Sequence, residues 1–176
     1  MIATAKAKIP MSSAQTRADA MDWSAIADHL DGNGWAVLRG ALSASECRAM
    51  AGLYPDDGIF RSHIVMSRHG FGRGEYKYFS YPLPDIVADL RAALYPRLAP
   101  IANRWNETME IDIRYPAAHA DFLARCHEAG QTRPTPLLLQ YGAGDYNCLH
   151  QDLYGEHVFP LQVAILLSQP NEDFTG

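Results

Sequence analysis

The sequence predicts an α+β fold in which N-terminal helices support a jelly-roll β-wall. Three observations carry this expectation. Amphipathic and capped helical patterns fill much of the first 130 residues. Short apolar runs separated by Gly-containing turns follow, the signature of strands. His150 and Asp152 then fall in the strand-like run 146–152, where residues two apart in number share a face. A hairpin feeding such a strand, followed by a hydrophobic return strand, suits a jelly-roll wall.

Residues 1–20 carry basic side chains but no apolar h-region, so they predict a flexible N-terminal tail, not a secretory signal. Residues 21–176 are then expected to belong to a single domain. Asp22 can cap a helix carrying Trp23, Ile26, Ala27 and Leu30 at helical spacing, ending near Gly32. Residues 35–39 (WAVLR) predict a short strand. Ser43 and Glu46 form a capping box that opens a helix through about Leu53.

Residues 61–66 and 75–81 predict strands around the loop 67–74. Ile86, Leu90, Leu94, Leu98, Ile101 and Trp105 form one stripe on a long helix over 85–105, which Pro96 and Pro100 should kink or interrupt. Residues 117–129 predict a helix burying Phe122, Leu123 and Cys126. Residues 137–141 are a buried strand, 142–145 a turn, 146–152 a second strand and 161–169 (LQVAILLSQ) a third.

Composition narrows the function classes. A net charge of −5 argues against a general nucleic-acid-binding surface, while leaving room for a local basic patch. No apolar run approaches the length of a membrane span. Cys47, Cys126 and Cys148 have no metal-type spacing and are odd in number, which favours a reducing cytoplasm. Cys148 shares the expected strand face with His150 and is expected to be a small buried hydrophobe beside it.

His-x-Asp is weak as a bare pattern. With 7 His and thirteen Asp in the chain, chance gives roughly half an occurrence. A second copy stands at His29 and Asp31, on a helix, where such positions point about 200° apart. Strand context separates the two copies. An imidazole and a carboxylate on one strand face can chelate one ion, and two His plus one carboxylate form the facial triad of non-haem Fe(II) oxygenases.

Tyr141-Gly142, a Gly-containing turn, Tyr146, His150-x-Asp152 and the return strand together resemble the Fe(II)- and 2-oxoglutarate-dependent dioxygenases, most closely the prolyl-4-hydroxylase-like branch. The helix, strand and capped helix near the N-terminus agree. The resemblance implies a double-stranded β-helix (jelly-roll, cupin-like) that lacks its last strands within this chain. It implies an oxidoreductase that couples decarboxylation of 2-oxoglutarate by O₂ to hydroxylation of an unknown protein, amino-acid or small-molecule substrate, with ascorbate as an accessory reductant. His150 and Asp152 match the first two iron ligands, and Tyr141 and Tyr146 match positions beside the cosubstrate. Leu166 stands where many members carry a further Tyr, with Gln162 and Ser168 on the same alternating face. Members place the distal His and a 2-oxoglutarate-binding Arg or Lys beyond the end of this sequence, so the 176-residue chain is expected to be C-terminally incomplete and to turn over little cosubstrate.

Two further clusters complete the candidates. Arg68, Phe71, Arg73 and Tyr76 lie in or beside the glycine-rich loop 67–74, either as a substrate lid suited to an acidic or peptide partner or as a plain hairpin. His63 and His69 are weaker metal candidates. The alternatives to the oxygenase are a non-catalytic jelly-roll binding module and a cupin-like metal protein using His150, Asp152 and His157.

Overall fold

Three short helices open the described chain: α1 (Ala14–Asp19), α2 (Trp23–Asn33) and α3 (Ala44–Ala51). The structure, a computed structural model, describes residues 14–152 and 155–175. Asp22 caps α2 by accepting from the Ala25 amide. Gly34 ends that helix in the left-handed conformation at φ 76°, which costs glycine no Cβ clash. The expected capping box of Ser43 and Glu46 is closed on α3.

Next come the strands β1 (Phe60–Val65), β2 (Gly72–Arg73) and β3 (Glu75–Phe79), then the long helix α4 (Asp85–Thr108). α5 (His119–Glu128), β4 (Leu137–Gln140) and β5 (Tyr146–Asn147) follow. α4 is the spine of the fold. Its Leu90, Leu94, Leu98 and Ile101 are buried, and Trp23, Ile26, Ala27, Ala36 and Leu38 pack against them. Pro96 and Pro100 lie inside a continuous helix, against the expected interruption. Each proline costs roughly 3 kcal/mol, whereas each buried Leu or Ile contributes about 1.5–3 kcal/mol, so the stripe outweighs the two defects.

α1 corrects the sequence expectation at the N-terminus. Residues 14–19 fall in the span expected to be a flexible tail, yet they form a helix packed on α4 that buries Ala14 and Ala18. Small side chains at these positions let the two backbones approach. Residues 1–13, the rest of that expected tail, lie outside the described residues.

The β-structure is two small antiparallel sheets, with no closed barrel among the described residues. One has the order β1-β3-β4, and the other is the ribbon β2-β5. Phe79 and Leu138 of the first sheet pack with Met50 of α3 and Val87 of α4. Lys77 is buried in β3. Its Nζ donates to Asp57 Oδ1 at 2.7 Å and to the Tyr54 carbonyl at 2.9 Å, and lies 4.5 Å from the Tyr54 ring centroid. The Tyr54 hydroxyl donates to Glu75 at 3.0 Å, and both burial and that carboxylate raise its pKa.

Three expected strands differ from what forms. Residues 35–39 alternate between exposed Trp35 and Val37 and packed Ala36 and Leu38, but no ladder pairs with them. The strand expected over 146–152 stops at Asn147, because its partner β2 is two residues long. Residues 161–169 form no strand; Leu161 and Leu167 reach the core while Val163, Ile165 and Leu166 are exposed. On α5, Phe122 and Cys126 are buried as expected and Leu123 only partly. No described helix is long and apolar enough to cross a membrane.

Candidate metal centre

The ribbon brings the glycine-rich arm to the His-x-Asp segment. Gly72 pairs with Asn147 and Arg73 with Tyr146. Gly72 has φ +122°, and a Cβ there would run into the Tyr146 carbonyl oxygen, so the close approach requires glycine. One residue past β5, the Cys148 amide donates to the Phe71 carbonyl at 2.9 Å. Cys148 is exposed, correcting the expected burial, because the strand that would have turned it inward has already ended.

His150 and Asp152 come together without strand alternation. His150 Nε2 lies 3.5 Å from Asp152 Oδ1. His150 Nδ1 sits 2.7 Å from the Cys148 carbonyl oxygen. A carbonyl can only accept, so Nδ1 carries the hydrogen and Nε2 of the neutral ring keeps a lone pair. Asp152 Oδ2 accepts from Gln162 Nε2 at 3.0 Å. Each side chain is thus tied by one atom, and its other donor atom lies 3.5 Å from that of its neighbour. As an exposed ion pair alone, the contact would contribute about 0–1 kcal/mol. As a pair of metal donors, it has the tethered geometry that outer hydrogen bonds impose on ligands, and the nitrogen–oxygen set suits a divalent first-row ion.

The segment beyond the pair is pegged to the helices. Gln131, just past α5, accepts from the His157 amide at 2.7 Å and donates to the His157 carbonyl at 3.1 Å. The Tyr115 hydroxyl donates to the Val158 carbonyl at 2.6 Å. The Phe159 ring sits among Tyr95, Tyr115 and Phe122, with centroids 5.2, 4.9 and 5.9 Å away. Burial pushes the Tyr95 hydroxyl up to about 12 and raises that of Tyr115. Gln131 and Tyr115 were missed by sequence reasoning, since nothing local marks them as partners of residues 26 and 43 positions away.

The other candidates lie on several elements of the fold. Tyr141 lines a cleft of about 430 Å³ with Arg73, Gln140 and Asp145. Its ring lies against Gly74, where an added Cβ would come within 2.7 Å of it. Burial, then the Asp145 charge, raises the Tyr141 pKa. Tyr146 faces Arg73 across the ribbon, exposed, and does not line that cleft. Arg68, Phe71 and Arg73 are exposed on the arm, with His69 stacked on Phe71 at 5.4 Å. Tyr76 instead lies in β3, in register with Ile64 and Leu139.

His63 pairs with Glu75 at 3.0 Å. Among the described residues, no three His, Cys, Asp or Glu side chains converge on a common point. The local set of His150, Asp152 and His157 is therefore not assembled. His157 is held at the end of α5 through its backbone instead.

The profile of a family described as "Oxygenase, catalysing oxidative methylation of damaged DNA" matches residues 74–176. That stretch is more than half of the chain and contains His150, Asp152, the strand β5 and the pegs. The chain belongs to this oxygenase family. Two curated relatives are the uncharacterized proteins MT2286 and Rv2227 of Mycobacterium tuberculosis strains CDC 1551 / Oshkosh and ATCC 25618 / H37Rv. Each is 53% identical over 98 residues, covering 56% of this chain and 42% of the relative. The chain thus spans less than half the length of these relatives. No solved structure matches it.

Proposed function

We propose that the protein is an Fe(II)- and 2-oxoglutarate-dependent dioxygenase in which His150 and Asp152 are two of the iron ligands. The observation carrying this reading is the facing of Nε2 and Oδ1 at 3.5 Å, with Nδ1 and Oδ2 each tied elsewhere. Bound iron would supply the activation of O₂ that couples 2-oxoglutarate decarboxylation to oxidation of a C–H bond. The chain's own residues do the rest. The Cys148 carbonyl fixes the His150 tautomer. Tyr141 would meet the cosubstrate in the cleft that it lines, and the arm 67–74, whose Ser67, Arg73 and Gly74 line the same cleft, would serve as its lid. Likeness to the prolyl-4-hydroxylase-like branch supports the cofactor set, and a jelly-roll is the architecture into which the sheet and ribbon would fit.

The family description puts damaged DNA forward as the substrate class. Exposed Arg68, Arg73 and Phe71 are the groups that would meet it, by phosphate pairing and base stacking. The net charge of −5 is a whole-chain quantity and does not oppose such a local patch.

The test is succinate formation by the protein in its full native length, supplied with Fe(II), 2-oxoglutarate and O₂, with and without an alkylated single-stranded oligonucleotide. His150→Ala and Asp152→Ala are expected to lower turnover more than about 100-fold. Turnover indifferent to both substitutions would refute the assignment. Turnover stimulated by an amino acid or peptide and not by the oligonucleotide would redirect the substrate class alone.

A further inference from the structure

We infer that Gln162 is a positioning residue that sets the Asp152 carboxylate for metal binding. This rests on the metal reading above. The Gln162 amide Nε2 donates to Asp152 Oδ2 at 3.0 Å, and Oδ2 is the oxygen that does not face His150. Oδ1 is left facing His150 Nε2 at 3.5 Å. A carboxylate outside regular structure can rotate about two side-chain torsions, and fixing one oxygen fixes the direction of the other. The choice of an amide matters. It donates without ionising, so it orients the carboxylate while leaving the negative charge that attracts a cation.

Gln162 can hold this position because its neighbours are fixed. Leu161 packs against both helical clusters, as does Phe159. The Val158 carbonyl is held by Tyr115 and the His157 backbone by Gln131. A continuous path therefore leads from the α4 and α5 core through Leu161 and Gln162 to Asp152. His150 is tied in the other direction, through the Cys148 carbonyl to the ribbon and the arm. The two donor side chains are positioned by two different parts of the fold, and the Gln162 contact is the link on the helical side.

Mn(II) titration of the full native-length protein tests this, with the free-ion electron paramagnetic resonance signal counting unbound metal. Gln162→Met keeps the side-chain length and removes the donor. Its expected effect is a Kd raised about 10–100-fold, with unchanged stoichiometry and an unchanged melting temperature of the metal-free protein. An unchanged Kd in that variant, while Asp152→Ala abolishes binding, would overturn the role of Gln162 and leave the metal reading standing. Lost stoichiometry and a lower melting temperature at unchanged Kd would make Gln162 merely structural and also overturn the inference. If the unsubstituted protein shows no saturable binding, the metal reading falls and the role of Gln162 falls with it.

Discussion

α4 buries Leu90, Leu94, Leu98 and Ile101 along one face and takes up the side chains of α1 and α2, whereas among the described residues of 148–175 only Phe159, Leu161 and Leu167 reach the core clusters. Leu149, Val163, Ile165 and Leu166 in that second region stand exposed. The helical region is held by buried area, which acts cooperatively. The segment carrying His150 and Asp152 is held by pegs, hydrogen bonds worth about 0.5–1.5 kcal/mol each and one inserted ring. Local opening of such a segment requires far less free energy than global unfolding. His150 and Asp152 thus sit on the more easily opened part, Asp152 tied towards the helical core through Gln162 and His150 towards the ribbon through Cys148.

The largest effect that would sharpen this contrast comes from the spine. Leu94→Ala should lower global stability by about 2–5 kcal/mol, from lost burial and the cavity left behind. Urea unfolding followed by circular dichroism checks this, and a loss under 1 kcal/mol would mean that α4 is not the cooperative centre.

Phe159→Ala comes next, at roughly 1–3 kcal/mol for a partly buried ring. Hydrogen exchange should show protection lost at residues 155–168 while α4 amides stay protected. Equal loss in both regions would break the distinction between area and pegs.

The smallest effect is pH-dependent. His119 lies against the Tyr95 ring at 5.3 Å, at the joint between the two regions. Burial, then nearby Arg91, lowers its pKa from the ordinary 6.5 to about 4. The folded state therefore holds it neutral, while the unfolded chain takes up the proton more readily. Its contribution is present above pH 6.5 and is lost as pH falls towards 4. His119→Phe should flatten the fall in urea midpoint between pH 7 and pH 5; an unchanged slope would assign that fall to other groups.

What could be foreseen in the sequence was mostly local. The Asp22 cap, the Ser43–Glu46 box and the α4 stripe each depend on residues within a few positions, and each formed. Strand extents failed where the missing piece was a partner: residues 35–39 alternate as a strand should, with no ladder beside them. The proximity of His150 and Asp152 was anticipated from strand alternation, and it arises instead from a short segment tied at Cys148 and Gln162. The burial of Lys77 is not legible locally, where a lysine among aromatics reads as part of a cationic rim, because its partners, Asp57 and Tyr54, lie 20 and 23 residues earlier.

By itself, the sequence determined the helices α2 to α5, the glycines that permit the ribbon, and the chemistry of one imidazole and one carboxylate two positions apart. These rest on short-range sterics, capping and side-chain identity. Tertiary structure alone decided that α1 is a packed helix, that the arm 67–74 is stitched to the segment of His150 and Asp152, and that Gln131, Tyr115 and Gln162 hold that segment in place. Those contacts depend on which distant backbone groups lack partners once the helices have packed, and no local pattern encodes that.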